Sequence, residues 1–361
     1  MKKIVRPKNY WQDGPREITK KELPRISFVI ATFNSGNFVK HAINSILKQD
    51  YPKEKIEIIF SDGGSTDNTL EIAKEYDIVR VVKNKLIFGD PGYAVGGEVA
   101  RGDLVVFMGH DNQLVQKNWI RMMIKPFVQD KEIAGAFPHL ENRKSDNWLT
   151  RYVNRFTDPG NHFVYGYANN PLTFEKVYRA VKKTKGWVVL DFTLKNHPIL
   201  EFEQGFMLRR VAYRRDKNTW YCGILAVLDM IKKGKQICYV PSASNYHDTL
   251  NRGLMQFIKK HRWAIDYNLD SRETFGDYKQ AFGLKARRKY ISPMRRLRTY
   301  IYPFYGISFI FPCLRAIYFY LKDGDKEWFY HPFITFVSAF IIWQEAFRII
   351  ILRRHPIMER Y

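Results

Sequence analysis

Short apolar runs alternate with segments of helical periodicity over residues 26–108, and this alternation constrains the fold more than any other feature of the chain. The strand candidates, rich in β-branched residues, are 26–31, 56–60, 78–83 and 103–108. Between the first two, Val39, Ile43 and Ile46 recur at helical spacing. Strands that alternate with helices form parallel sheets with right-handed crossovers. The sequence therefore predicts an α/β fold with a mostly parallel sheet flanked by helices.

Polar residues interrupt this pattern where the predicted strands end. The interruptions are "ATFN" at 31–34, "SDGG" at 61–64 and "GHDN" at 109–112, and Thr66 or Asp67 is the expected N-cap of the helix after the second strand. Ligands of such sheets lie beyond the carboxyl ends of the strands. We therefore expect a binding site at these three turns. Two carboxylates after the fourth strand would indicate a divalent cation, but only Asp111 is present, with His110 beside it.

The composition indicates an ordered chain that binds phosphate-bearing partners. Among its 361 residues, 45% are hydrophobic and 16% aromatic, which excludes general disorder. A formal net charge of +23 indicates nucleic acid, anionic lipid or phosphorylated small molecules as partners. The three cysteines are far apart, so neither a zinc cluster nor a disulfide framework is expected. No apolar signal segment opens the chain, and we expect the catalytic part to remain in the cytosol.

Changes in composition divide the chain into three parts. We predict an N-terminal extension at 1–24, a catalytic domain at 25–250, and a basic and apolar helical region at 251–361. The last region contains the basic run 285–298 and two apolar stretches of about twenty residues, each interrupted by charged residues. Such amphipathic or hydrophobic helices suit the anionic cytoplasmic face of a membrane, lying at the interface or re-entering it. The alternative is that they simply pack on the catalytic domain.

Several well-known catalytic motifs are missing from the sequence. No G-x-G-x-x-G follows the first strand, and the "GK" at Gly234 does not complete a P-loop. Neither H-E-x-x-H nor a nucleophile elbow occurs. Dehydrogenase, P-loop ATPase, metalloprotease and esterase functions therefore lose their main support.

The turn motifs, taken together, resemble those of family 2 glycosyltransferases of the GT-A fold. The matching segments are "ATFN", "SILKQDY", "SDGGSTDNT", "GEVARGDLVVFM" and "YVPSASNYHDT". The resemblance is good over residues 25–125 and weaker over 200–250. It implies a nucleotide-diphospho-sugar transferase fold, and it implies that the chain is a transferase.

The resemblance also implies roles for particular residues. The implied nucleotide-sugar pocket consists of Ala31, Thr32, Asn34, Asp62, Gly63, His110 and Asp111. Asp62 would contact the uracil or ribose, although it could instead organise the Gly63–Gly64 turn. Asp111 would bind Mn²⁺ or Mg²⁺ bridging the diphosphate. His247 would reach the same metal or phosphates, unless it is an ordinary histidine at a strand end.

Two departures from the family pattern leave assignments open. The adjacent acidic pair of some members is replaced by His110-Asp111, so His110 is a phosphate contact, a bystander or, less favoured, a metal ligand. The carboxylate that family members place about ten residues before a glycine like Gly234 is also missing. The candidate catalytic bases are Asp229, then Glu203, with Glu201 as a third choice.

These observations predict an inverting glycosyltransferase that uses a nucleoside-diphosphate sugar, with UDP favoured. The acceptor would be a lipid-linked or polysaccharide glycan at the cell surface, and the anionic membrane surface would be a further partner. The alternative is a degenerate member that binds a nucleotide sugar or a partner protein without catalysis. A nucleic-acid partner is not expected, because only the charge favours it and no recognition motif is present.

Overall fold

The computed structural model describes residues 23–85, 87, 89–165, 174–197, 203–212, 224–248, 253–270 and 292–352. Most of the predicted extension 1–24 therefore lies outside the described residues. The same is true of the candidate base Glu201 and of residues 285–291 of the basic run. Ten strands of the described part form one sheet.

The first four strands in the chain form a parallel half-sheet, as predicted. The strands are β1 Ile26–Thr32, β2 Ile56–Asp62, β3 Val79–Lys83, β4 Leu104–Met108, β5 Asn112–Leu114, β6 Ile133–Glu141, β7 Ala180–Lys183, β8 Val188–Leu190, β9 Gln204–Arg209 and β10 Gln236–His247. Their order is β3-β2-β1-β4-β9-β6-β10-β8-β7, and β5 pairs with β10. β9 runs antiparallel between β4 and β6, and β10 is parallel to β6. The sheet as a whole is therefore mixed.

Helices cover the sheet and continue beyond it. They are α1 Gly36–Leu47, α2 Thr69–Lys74, α3 Gly89–Val99, α4 Trp119–Gln129, α5 Trp148–Phe156, α6 Pro159–Tyr165, α7 Phe174–Val177, α8 Ile224–Lys232, α9 Leu254–Asp270, α10 Pro293–Ile307, α11 Ile310–Asp323 and α12 His331–Ile350. Buried residues lie on both faces of the sheet, in two clusters that contain alternate residues of β1. The apolar runs of the sequence are thus the core of an α/β domain.

The predicted N-cap of the second helix was wrong. Helix α2 begins at Thr69 with Asn68 as its N-cap, rather than after Thr66 or Asp67. The backbone N–H groups of Thr66 and Asp67 both donate to the side-chain oxygen of Asn34, at 2.8 and 3.3 Å. These bonds hold the chain in a turn across the end of β1, so the helix starts later.

Two glycines allow α3 to lie close to the parallel strands. A Cβ at Gly92 would be 2.8 Å from the Cβ of Ala31, and one at Gly96 would collide with the Val29 side chain. Real Cβ atoms do not approach so closely. Helix α3, which is rich in small residues, therefore covers β1 beside the "ATFN" turn.

The C-terminal helices pack against an excursion of the catalytic part. Tyr152 and Phe156 of α5 share a buried cluster with Trp328 and with Ile334 of α12. The domain boundary at residue 250 stays a prediction. In the described part of the chain, no helix by itself is long and apolar enough to cross a membrane; α10 and α11 together are, with a bend of 101° between them.

Candidate active site

The sheet register brings the predicted site residues to one edge. Thr32 at the end of β1 is aligned with Asp62 at the end of β2. β10 pairs with β5 so that His247 lies opposite Asn112, next to Asp111 in the chain. The carboxyl ends of β1, β2, β4 and β10 therefore surround one polar region.

Asp62 is buried and holds the turn after β2. Its Oδ1 accepts hydrogen bonds from Thr32 Oγ1 at 2.9 Å and Ser65 Oγ at 2.6 Å. Its Oδ2 accepts from the backbone N–H groups of Gly64 and Ser65, both at 2.8 Å. Four donors occupy the four acceptor sites of a carboxylate. Asp62 thus organises this turn, and its contact with a nucleotide stays a prediction.

Asn34 and Gly63 shape the adjoining turns. Asn34 has a φ of 47°, in the left-handed region that asparagine tolerates. Its backbone N–H donates to Ser65 Oγ at 2.9 Å, so it connects the turns after β1 and β2. The N–H of Gly63 donates to the Thr32 carbonyl at 2.9 Å, and a Cβ at Gly63 would lie 2.9 Å from the Ile87 carbonyl oxygen.

The "GHDN" turn is compact and is joined to β9. The N–H of Gly109 donates to the Glu203 carbonyl at 2.6 Å, and the N–H of Asn112 donates to the Gly109 carbonyl at 3.1 Å. A Cβ at Gly109 would lie 2.7 Å from Asp111 Oδ1. The glycine therefore leaves the space that the Asp111 carboxylate occupies.

The structure brings the two predicted metal ligands together. Nε2 of His247 lies 3.5 Å from Oδ2 of Asp111. Nδ1 of His247 lies 2.9 Å from Oδ1 of Asn154, whose Nδ2 donates to Asn142 Oδ1 at 2.9 Å. Because the Asn154 amide nitrogen is the donor, its oxygen must accept from His247 Nδ1–H. Nε2 then faces Asp111, where it donates to the carboxylate when the ring is protonated or offers its lone pair to a cation when the ring is neutral.

Asp111 is ionised in this environment. Burial raises the pKa of its carboxyl, but the protonated ring of His247, which donates to it, and the charge of Lys260 outweigh burial and hold that pKa well below its usual range. Lys260 belongs to α9 and was not among the residues predicted from the sequence. Only the paired lysines after Gly253 could have indicated it.

His110 connects the ends of β1 and β4. Its ring lies near the backbone of Ala31 and 5.8 Å from the Phe38 ring, centroid to centroid. Burial lowers the pKa of His110, so the ring is neutral at neutral pH. These contacts explain the position of the ring, and its role toward a phosphate or a metal stays a prediction.

Unpaired oxygens around Asp111 and His247 fit a divalent cation. No group of three or more ionisable or sulfur ligands occurs in the described part of the chain. However, the buried amide oxygens of Asn112, Gln204 and Asn245 have no hydrogen-bond partner among the described residues. The amide nitrogen of Asn112 contacts Asp111 Oδ1 at 3.2 Å, and that of Gln204 contacts His247 Nε2 at 3.4 Å. One carboxylate, one imidazole and nearby amide oxygens suit manganese better than a softer metal.

A polar cleft of about 490 Å³ opens beside this cluster. Its lining residues are His41, Gln113, Arg143, Ser145, Asp146, Asn147 and Asp248. The N–H of Asp248 donates to the Asp111 carbonyl at 3.0 Å, and the Asp248 carboxylate lies 3.4 Å from Arg143. Burial and the charges of Asp111 and Asp146 raise the pKa of Asp248 against the opposing effect of Arg143. Asp248 was not among the residues predicted from the sequence, although it follows His247 directly.

The two predicted bases that the structure describes lie in different surroundings. Glu203 is next to Gly109, because β9 pairs with β4. Asp229 lies on α8 and forms an ion pair of 2.6 Å with Lys233, one turn nearer the start of β10. Since His247 is at the opposite end of β10, the pairing directs Asp229 away from the cluster. Both assignments stay predictions.

Comparisons with known proteins agree with this architecture. A family model described as glycosyl transferase family 2 matches residues 27–213. A dolichyl N-acetyl-alpha-D-glucosaminyl phosphate 3-beta-D-2,3-diacetamido-2,3-dideoxy-beta-D-glucuronosyltransferase of Methanococcus voltae is 29% identical over 120 residues, 31% of this chain and 37% of that protein. The poly(ribitol-phosphate) beta-N-acetylglucosaminyltransferase TarS of Staphylococcus aureus is 32% identical over 95 residues, 25% of this chain and 17% of that protein.

The chain thus spans less than two fifths of the length of these curated relatives. Among solved structures, the mannosyltransferase PcManGT from Pyrobaculum calidifontis, in complex with GDP-Man and Mn²⁺, superimposes with a TM-score of 0.51. The alignment covers 94% of this chain and 91% of that one at 13% identity. At this identity the likeness concerns the fold alone.

Proposed function

Because the chain belongs to the family 2 glycosyltransferases and has their GT-A fold, we propose that it transfers a sugar from a nucleoside-diphosphate donor to a glycan acceptor, with inversion. The observation that carries this proposal is the pair of Asp111 and His247 at the carboxyl edge of the sheet. An ionised carboxylate and an oriented imidazole, surrounded by unpaired amide oxygens, form a site for a diphosphate and its cation.

Different residues of this sheet edge are proposed to bind different parts of the donor. Asp111 and His247 would hold Mn²⁺ or Mg²⁺, and the amide groups of Asn112 and Gln204 lie beside them. The bound cation supplies positive charge that stabilises the departing diphosphate. Lys260 adds a further positive charge, since it already acts electrostatically on Asp111. The turn built on Asp62 would support the nucleoside.

The cleft beside Asp248 is the proposed acceptor site. Its lining of carboxylate, guanidinium and amide groups suits the hydroxyls of a sugar. In an inverting displacement, a carboxylate removes the proton of the acceptor hydroxyl. The hydroxyl oxygen attacks the anomeric carbon at the same time, and the diphosphate leaves. Asp248 lines the cleft and Glu203 adjoins the Asp111 turn, so we favour these two over Asp229 as the base.

The names of two relatives support a particular class of acceptor. One is named for a dolichyl-linked phosphate and the other for a poly(ribitol-phosphate), which supports a lipid-linked or polymeric acceptor here. We favour UDP over GDP on the sequence resemblance. The alternative is a member that binds the donor without transferring it, which the missing first acid of the "GHDN" turn favours.

Calorimetric titration of UDP and GDP into the protein, with and without Mn²⁺, tests the donor site. We expect Mn²⁺ to strengthen nucleotide binding. We expect Asp111→Asn to weaken it more than the roughly 10–100-fold that loss of an outer-shell partner costs. Asp50→Asn is the matched control, because Asp50 pairs with Arg121 on the surface. A nucleotide affinity that changes neither with Mn²⁺ nor with Asp111→Asn would contradict the proposed site.

Donor hydrolysis then separates the two functions. Metal-dependent release of UDP from a UDP-sugar by the wild-type protein, lost in Asp111→Asn, would support a transferase. Tight binding of the same UDP-sugar without release of UDP in the presence of glycan acceptors would favour the non-catalytic alternative.

A further inference from the structure

The corner where α10 meets α11 exposes a dense group of large apolar side chains. We call it the apolar corner; its residues are Ile307, Phe309, Ile310, Phe311 and Leu314, all exposed, with Ile310 at 67% and Phe311 at 61% of their full surface. Monomeric soluble proteins rarely expose apolar patches of this density without a binding role.

Apolar stripes extend from the corner along both helices. On α10 the exposed residues are Leu297, Tyr300, Ile301 and Phe304; on α11 they are Ile317, Tyr318 and Leu321. Within each helix these positions recur every three or four residues, so they form one face. The opposite faces hold the buried residues Tyr302, Tyr305 and Ala316. Each helix therefore has an inner face against the protein and an outer apolar face.

The corner is held in place by its inner contacts. The Tyr305 ring stacks on Phe163 with 4.1 Å between centroids. Tyr302 OH donates to Ser338 Oγ at 3.0 Å, and Arg315 donates to the His162 carbonyl at 3.1 Å. Phe309, at the turn itself, has a φ of 56°, a strained value for a bulky residue. Packed helices thus present the apolar side chains outward in a fixed arrangement.

The basic residues at the start of α10 favour a lipid surface over an apolar protein partner for the outer face of this helix. Arg296 and Arg298 lie on the first two turns of α10, and the whole chain has a formal net charge of +23. Trp343, 41% exposed, packs edge-to-face on Phe304 and gives the aromatic residue that interfacial helices favour.

We propose that the apolar corner inserts into one leaflet of an anionic bilayer, with α10 and α11 lying at the interface and Arg296 and Arg298 at the headgroups. Docking of this kind would hold the sheet edge near a lipid-linked acceptor. It is independent of the transferase activity, and the vesicle test below contains no nucleotide or acceptor.

Vesicle flotation with the full chain tests this surface. We expect the wild-type protein to float with vesicles of phosphatidylcholine and phosphatidylglycerol. Combined Ile310→Ser, Phe311→Ser and Leu314→Ser should weaken this binding by about 100-fold or more, because each residue buries a large apolar side chain in the bilayer. The matched control is Val181→Ser with Val211→Ser, which removes side chains equally exposed at 64% and 71% on the catalytic part and should leave flotation unchanged.

A charge variant tests the headgroup contact. Arg296→Gln and Arg298→Gln should each lower affinity for phosphatidylglycerol vesicles roughly fivefold, with little change on pure phosphatidylcholine. Circular dichroism should show that every variant is folded, since all these side chains are on the surface.

Three outcomes would overturn the proposal. The wild-type protein could fail to float with either vesicle, or the triple apolar variant could float as well as the wild type. Sedimentation velocity without lipid could instead show a stable dimer that the triple variant dissociates, which would make the corner a contact between two copies of this chain.

Discussion

Asn154 is the residue that orients His247 toward Asp111. It is 1% exposed, its oxygen accepts from His247 Nδ1–H, and its amide nitrogen donates to the Asn142 side chain and to the His247 carbonyl. A histidine that binds metal through one ring nitrogen usually donates the other N–H to such an acceptor. Asn154 therefore fixes both the tautomer and the ring plane.

Replacing Asn154 should weaken metal binding without removing a ligand. We expect Asn154→Ala to reduce Mn²⁺ affinity roughly 10–100-fold, measured by electron paramagnetic resonance of free Mn²⁺ without nucleotide. Asn154→Asp should retain more affinity, because a carboxylate still accepts from Nδ1–H. Asn142→Ala removes one of the two acceptors of the Asn154 amide nitrogen and leaves the Asn154 oxygen available to His247, so it should reduce Mn²⁺ affinity less than Asn154→Ala does. Equal Mn²⁺ affinity in Asn154→Ala and wild type would show that other contacts orient the ring.

Three carboxylates compete for the role of catalytic base. We expect Asp248→Asn or Glu203→Gln to lower kcat by about 10²–10⁴, because the amide cannot accept the acceptor proton. The variant that loses turnover should still bind the nucleotide-sugar donor. Asp229→Asn should lower kcat much less, because Asp229 pairs with Lys233 instead of facing Asp111 and His247. Steady-state kinetics of the three variants decides, and a large loss confined to Asp229→Asn would restore the sequence-based prediction.

At the scale of elements, local pattern predicted the parallel half-sheet and long-range pairing determined the rest. β1, β2 and β4 are apolar runs whose type can be read from neighbours in the chain. The position of β9 depends on pairing of Met108 with Gln204, far apart in sequence, and no local pattern contains that information. This pairing is what brings Glu203 to the Gly109 turn.

The same limit explains which site residues were found. Asp111 and His247 were predicted because each follows a strand that matches a family motif, and the structure does place them together. Asn154 comes from α5, and no residue of this helix was among the site residues predicted from the sequence. Its role arises because α5 packs beside the end of β10. Such a tertiary contact cannot be predicted from the amino-acid composition of the segment.

At the scale of the whole molecule, α9 connects the candidate site to the C-terminal helices through three consecutive residues. Lys260 acts electrostatically on Asp111. His261 contacts Asp158 at 3.2 Å and Ser338 of α12 at 2.7 Å, and Arg262 pairs with Glu345 of α12 at 2.9 Å. Polar contacts therefore tie α9 to α12, which in turn packs on the two helices that carry the apolar corner.

Glu345 is the buried centre of this connection. Only 3% of it is exposed, and Arg348 also pairs with it, at 2.6 Å. Removing one partner of a buried ion pair leaves the opposite charges without compensation, at a cost of about 3–5 kcal/mol. Since Arg262 is 45% exposed and can regain water, we expect Glu345→Gln to lower the free energy of unfolding by only about 2–3 kcal/mol.

Urea unfolding followed by tryptophan fluorescence measures this loss, because Trp328 and Trp343 belong to the C-terminal helices. Gln344→Ala is the matched control, since it removes one exposed hydrogen bond from Arg262 and should cost less than about 1.5 kcal/mol. If Glu345→Gln unfolds like wild type, apolar packing around Tyr152 and Trp328 alone holds the helices. A loss of the expected size, with weaker UDP–Mn²⁺ binding below the transition, would mean that α9 depends on α12 to keep Lys260 near Asp111.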